Sequence, residues 1–129
     1  MHETSIVTSL IELIRQRLAD DGALLRGDRV TRVKMVVGPL AGVETAELRF
    51  AFEAVAPGSI VEGAELELVT PKLLAWCRGC EEEREVASVQ KLVCPVCGAP
   101  AVELLTGREL ELESLEVVAE GEVAAEALT

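Results

Sequence analysis

Apolar residues recur at Ile6, Leu10, Leu13, Ile14 and Leu18, in steps of four, three, one and four. That spacing draws one stripe along a helix, so an amphipathic helix is predicted over residues 4–18. Thr4 or Ser5 can cap its start, and Asp20-Asp21-Gly22 supplies a stop, although acidic residues at a helix C-terminus oppose the macrodipole. The period then changes to two. Thr31, Val33, Met35 and Val37 alternate with Arg32, Lys34 and Val36, the pattern of a half-buried strand, and Gly38-Pro39 ends it. A second helix is predicted over residues 43–55, with either Val43, Leu48, Phe52 and Val55 or Ala46 and Phe50 turned inward, and Pro57-Gly58 as its stop. Ala64, Leu66 and Leu68 alternate with Glu65 and Glu67 in a second strand that ends at Thr70-Pro71. A section bearing cysteines occupies residues 76–100. Beyond it Leu110 and Leu112 alternate with Glu109, Glu111 and Glu113, and Leu115 and Val117 continue after Ser114. This is a third strand, whose row of glutamates reads as a solvated face that discourages edge-to-edge pairing.

The order is therefore α-β-α-β, a cysteine section, and β. A self-contained metal ribbon needs no amphipathic strand after it, so the cysteine section reads as an insertion between two strands of one sheet. Trp76, just before the first cysteine, reads as a packing residue where that insertion meets the sheet, with partner binding as the alternative.

Composition narrows the picture. A chain of 129 residues makes one compact domain with room for a small satellite. Aromatic residues are only 2%, so the core must be built from Val, Leu, Ile and Ala. The formal charge of −11 repels nucleic acid and suits cations or a protein partner with a basic face. The start, Met1-His2-Glu3-Thr4-Ser5, has neither a basic nor an apolar region of a secretory signal, and no apolar run reaches transmembrane length. A cytoplasmic, reducing compartment is expected.

The four cysteines fall as Cys77-Arg78-Gly79-Cys80 and Cys94-Pro95-Val96-Cys97, that is C-x2-C-x13-C-x2-C. Two such turns aim four thiolates at one centre, the pattern of a structural zinc site. Gly79 and Gly98 suit the tight backbone through positive φ. Two disulfides are an alternative, disfavoured by the absence of an export signal. Iron in a rubredoxin-like site is another, because four sulfurs do not by themselves choose the metal. Four thiolates and one zinc dication make the chain two charges more negative.

A second constellation lies at the chain start. The single histidine is His2. The Met1 α-amine, the His2 amide and imidazole, and the Glu3 amide can wrap one ion in fused chelate rings. Planar nitrogen donors of this kind indicate Ni(II) or Cu(II). Residues for catalysis are lacking: there is no second histidine, no cysteine outside the pairs and no acyl- or phosphoryl-transfer motif.

MHETSIVTSLIELI at the start, VVGPLAGVETAELRFAFEAV in the middle, the two cysteine turns, and GRELELESLEV near the end resemble the HypA/HybF family of nickel metallochaperones for [NiFe]-hydrogenase maturation. The resemblance runs from Met1 to about Val118 in the same order. It implies an α+β fold of two helices with a small mixed three-stranded sheet, plus an inserted four-cysteine zinc-ribbon-like domain. Residues 1–70 are then the first part of a nickel-binding domain, 71–105 the zinc-binding domain, 106–118 the returning strand, and 119–129 an acidic, flexible tail. The implied nickel ligands are Met1, His2 and Glu3, with Glu44 as an acidic residue nearby or as the charged start of the second helix. The implied zinc ligands are Cys77, Cys80, Cys94 and Cys97. The implied role is delivery of Ni(II) without catalysis, to a HypB-type GTPase and the hydrogenase large subunit, and in some organisms to urease maturation. A zinc-ribbon interaction module indifferent to residues 1–3 is the rival reading, and a rubredoxin-like electron carrier a further one.

Overall fold

The buried stripe of the first helix is narrower than the apolar pattern. The computed structural model describes residues 3–22, 27–101 and 103–119. In it α1 (Glu3–Asp20) buries Val7, Leu10, Ile14 and Leu18. At about 100° per residue these four fall within one arc of roughly 80°. Ile6 and Leu13 stand on its shoulder, so Ile6 is half-buried and Leu13 is exposed, against the inward place predicted for it. Gly22 stops the helix with φ 78, its amide bonding the Ala19 carbonyl at 3.1 Å, and Arg17 in the last turn offsets the acidic pair that follows.

The second helix, α2 (Thr45–Val55), starts two residues later than predicted. Of its two possible faces the structure selects Leu48 and Phe52, joined by Ala51; Phe50, half a helical turn away, is 74% exposed. The strands are β1 (Arg29–Val37), β2 (Glu65–Val69), β3 (Leu74–Cys77), β4 (Glu82–Glu85), β5 (Glu103–Leu104) and β6 (Leu110–Val118). They form a mixed three-stranded sheet in the order β2-β1-β6 and a second, antiparallel sheet in the order β4-β3-β5. The α+β plan of two helices and three strands is the one the periodicities predict. β1 and β6 run antiparallel, because partners rise along one as they fall along the other: Thr31 Oγ1 donates to the Glu116 carbonyl at 3.2 Å, and the Gly38 amide to that of Glu109 at 2.7 Å.

Contacts divide the chain into two units, one drawn from Met1–Met35, Glu44–Glu67 and Leu112–Thr129, the other from Val36–Val43 and Leu68–Glu111. The first has an aliphatic interior in which Val7, Ile14, Leu48, Val30, Val33 and Val61 are fully buried. On its surface Arg32 of the central strand pairs with Glu65 at 3.3 Å, Glu67 at 3.4 Å and Glu116 at 3.4 Å, linking both neighbouring strands. The second unit has a small core of Leu73, Ala75 and Val86, with Leu40, Val89, Leu92, Ala101 and Leu104 packed around it. Its three short strands are not predicted by periodicity. Trp76, read as a packing residue, stands on the exposed face of β3 opposite Glu83 and Glu103. Register puts it there, because Ala75 and Cys77 take the buried face. Among the described residues no helix is long and apolar enough to cross a membrane. The tail reading lies outside the described residues beyond Ala119.

Candidate metal centre

Cys77 closes β3, and the chain turns so that the Glu81 amide bonds the Cys77 carbonyl at 2.7 Å. The second turn repeats this geometry, with the Gly98 amide on the Cys94 carbonyl at 2.9 Å. Each turn needs a left-handed residue directly after its second cysteine. Gly98 fills that place with φ 77, and Glu81 fills it with φ 55. Gly79 is therefore not the positive-φ residue of the first turn, contrary to the sequence reading. A Cβ there would stand 3.6 Å from Cys97 Sγ, an ordinary contact.

All four sulfurs lie within 4.8 Å of one another. Cys77 Sγ is 3.5 Å from Cys97 Sγ, and Cys80 Sγ is 3.9 Å from Cys94 Sγ. A tetrahedron with metal–sulfur bonds of about 2.3 Å has edges of about 3.8 Å, between these two values. A disulfide requires about 2.05 Å, and all four cysteines are free. The donor set thus fits a structural zinc ion.

The environment is built to hold thiolates. The Cys80 amide donates to Cys77 Sγ at 3.4 Å, and the amides of Val96 and Cys97 donate to Cys94 Sγ at 3.4 and 3.5 Å. The Cys97 amide first, and the Val96 amide after it, bring Cys94 down to about 6 against the opposing effect of burial. Cys97 goes the other way, to about 11: the Ala99 amide lowers it, but hydrogen bonds with Cys77 and Cys94 and burial outweigh that. Sulfurs this close cannot all ionise by themselves. A divalent cation at their centre removes the conflict, because it deprotonates coordinating thiols.

Of the residues read as the chain-start site, Met1 and His2 lie outside the described residues. Glu3 opens α1, and its carboxylate accepts the Glu44 amide at 3.2 Å. Glu44 is the residue before α2, in extended conformation (φ −83, ψ 117), and its own side chain makes no capping bond. Glu3 therefore supplies a cap from 41 positions away. No local pattern announces this contact. Beside it, Glu3, Thr4, Ser5, Ala46, Glu47, Phe50 and Ala51 line an open cleft of about 750 Å³.

Comparison with known proteins agrees with this geometry. A family model described as "Hydrogenase/urease nickel incorporation, metallochaperone, hypA" matches residues 1–117. The chain is 42% identical over 118 residues to the hydrogenase maturation factor HypA of Azotobacter chroococcum, covering 91% of this chain and 99% of that one. It is 41% identical over 119 residues to the HypA of Beijerinckia indica, covering 92% and 100%. The solution structure of the Ni metallochaperone HypA from Helicobacter pylori superposes with a TM-score of 0.63 at 30% identity, over 93% of this chain and 100% of that one. A second solution structure, of a HypA protein, gives 0.65 at 30% identity, over 93% and 98%.

Proposed function

The chain belongs to the HypA family of nickel metallochaperones for hydrogenase maturation, and from that premise we propose that it binds Ni(II) at its start and passes it on. The ligands are the Met1 amine, the His2 amide and imidazole, and the Glu3 amide. Cys77, Cys80, Cys94 and Cys97 hold one structural zinc. The observation that carries the reading is the family match over residues 1–117, which includes both the Met1-His2-Glu3 start and the four cysteines. Ligand type keeps the metals apart: planar nitrogen donors favour nickel, four soft thiolates favour zinc, and raw affinity alone would not sort them. A nickel ion held by a few nitrogens at a chain end can leave by stepwise ligand exchange, whereas a closed four-thiolate site retains its ion.

The two roles divide along the chain, with nickel on residues 1–70 and 106–118 and zinc on 71–105. The protein is a carrier and not an enzyme, and it acts in the cytoplasm. Its partners are a HypB-type GTPase and the hydrogenase large subunit, with urease maturation as a second destination; nucleic acid and membrane are not among them.

Calorimetric Ni(II) titration of untagged protein tests this against two variants. His2→Ala is expected to abolish nickel binding with zinc content and melting temperature nearly unchanged. One extra residue before Met1 is expected to weaken nickel binding severely, because the terminal amine, with a pKa near ~7.7–8.0, becomes an amide that resists deprotonation. Near wild-type affinity in both would move nickel elsewhere and leave a zinc module without a nickel role.

A further inference from the structure

Trp76 is the chain's single tryptophan, and the fold leaves its ring outward. It stands on the central strand of the sheet β4-β3-β5, directly between Glu83 of β4 and Glu103 of β5, and is 39% exposed. The next row of the same face sets Leu74 against Glu85. On the other side of Leu74 lies Leu105, 51% exposed, with its amide on the Leu74 carbonyl at 2.8 Å. Alternation produces this face: Ala75 and Cys77 take the covered side of β3, so Leu74 and Trp76 turn away from it. The result is an apolar centre of Trp76, Leu74 and Leu105 flanked by three carboxylates. Tryptophan is among the side chains most enriched at the centres of protein interfaces.

Charge decides what can cover this face. Directly opposed side chains stand ~4.5–5.5 Å apart at Cβ, so negative charge lies on both sides of the indole. Arg78 Nε answers Glu103 at 2.6 Å, and Lys72 reaches Glu85 at 3.9 Å. Both cations are exposed, at 73% and 75%, so these pairs hold weakly and give way to a competitor. Among the described residues no cation or donor meets the Glu83 carboxylate. A second copy of the chain fits badly, because a two-fold pairing would set these carboxylates against their own equivalents. Nucleic acid and anionic lipid are repelled for the same reason. A guanidinium fits, since it stacks flat on an indole and forks onto a carboxylate, and an ammonium matches neither geometry. Arg78 on Glu103 makes the guanidinium–carboxylate half of that contact from within the chain. We propose that this face is a docking surface for an arginine-bearing segment of a partner protein. The guanidinium stacks on Trp76 between Glu83 and Glu103, and an apolar side chain of the segment sits on Leu74 and Leu105. The surface is independent of the nickel reading, because every residue in it belongs to the second unit.

With one tryptophan in the chain, fluorescence reports this face alone. The probe is the capped peptide Arg-Leu-Arg-Leu-Arg, titrated at low salt into the full zinc-loaded chain beside Lys-Leu-Lys-Leu-Lys. The arginine peptide is expected to change Trp76 emission saturably and to bind at least about 2-fold more tightly than the lysine peptide. Glu83→Gln is expected to weaken it about 2- to 5-fold, the range of one exposed charge pair. Glu53→Gln, the same change at an exposed glutamate of α2, is expected to leave it unaltered. Trp76→Leu keeps apolar bulk without the ring, and calorimetry is expected to show a loss of about 3- to 10-fold. Unchanged emission, equal binding of the two peptides, or wild-type binding by Trp76→Leu would overturn the proposal. Equal effects of Glu83→Gln and Glu53→Gln would overturn it too, because the peptide would then be following net charge. Should Trp76→Leu fail to hold zinc, the comparison of Glu83→Gln with Glu53→Gln still decides.

Discussion

Glu81 and Gly98 hold equivalent left-handed positions in the two cysteine turns, at φ 55 and φ 77, and only one of them is a glycine. An L-residue in that region costs about 1–2 kcal/mol, because its Cβ crowds the following carbonyl. A Cβ added at Gly98 would meet nothing within 4 Å, so the whole penalty of Gly98→Ala is conformational. With zinc bound, Gly98→Ala is therefore expected to lose about 1–2 kcal/mol in denaturant unfolding, while Glu81→Gly is expected to lose nothing. If Gly98→Ala unfolds with the wild type, the turn does not need a left-handed residue. The sequence shows the cysteine spacing but hides this position. C-x-x-C-G is visible as a motif in the second turn, whereas Cys80-Glu81 carries no such sign.

Helix faces are settled by how many side chains an element can cover. In α2 both Phe50 and Phe52 are apolar, and one step of two residues turns a side chain by about 200°. Phe52 is 3% exposed and Phe50 is 74% exposed. Phe52→Ala is expected to cost about 3–5 kcal/mol by urea unfolding, the usual cost of removing a buried aromatic ring, and Phe50→Ala to stay within about 0.5 kcal/mol. A large loss from Phe50→Ala would mean that the ring is covered in solution. β6 shows a different limit. Its alternation predicts a covered apolar row, yet none of its residues is fully buried, and Val118 is better covered than Val117. As the edge of the order β2-β1-β6 it has a strand neighbour on one side only. Its exposed glutamates suit such an edge, and Lys34 answers one of them, Glu113, at 3.4 Å.

Across the whole molecule, the two units differ in what holds them together. The first has an interior of fully buried aliphatic residues on both helices and on β1. The second has three short strands and a core centred on Leu73, Ala75 and Val86, with the four sulfurs gathered beside it. So small a core leans on its metal, and structural zinc contributes about 10–16 kcal/mol in small peptides. Chelating the zinc is thus expected to expose the amides of β3, β4 and β5 to rapid hydrogen exchange while those of α1 and α2 stay protected. Uniform protection after verified removal of the ion would show that the metal does not carry the second unit. Among the described residues no charged residue is buried, and exposed pairs such as those of Arg32 each contribute little, typically under ~1 kcal/mol.

What the sequence determined by itself is whatever depends on residues a few positions apart. The stripe of α1, the alternation of β1 and β2, the third strand at its place after the cysteines, and the two cysteines carried by each C-x-x-C turn all follow from local spacing. Tertiary structure decided the rest. β4 reads Glu-Glu-Arg-Glu and has no apolar period; it is a strand because β3 offers it a hydrogen-bonding edge. Trp76 is outward because register gives the inner face to Ala75 and Cys77. Glu3 reaches the start of α2 across a contact that no local period encodes. Such partners are fixed by where two backbones meet, and a chain's pattern of apolar and polar positions carries the period of each element but not the register between them.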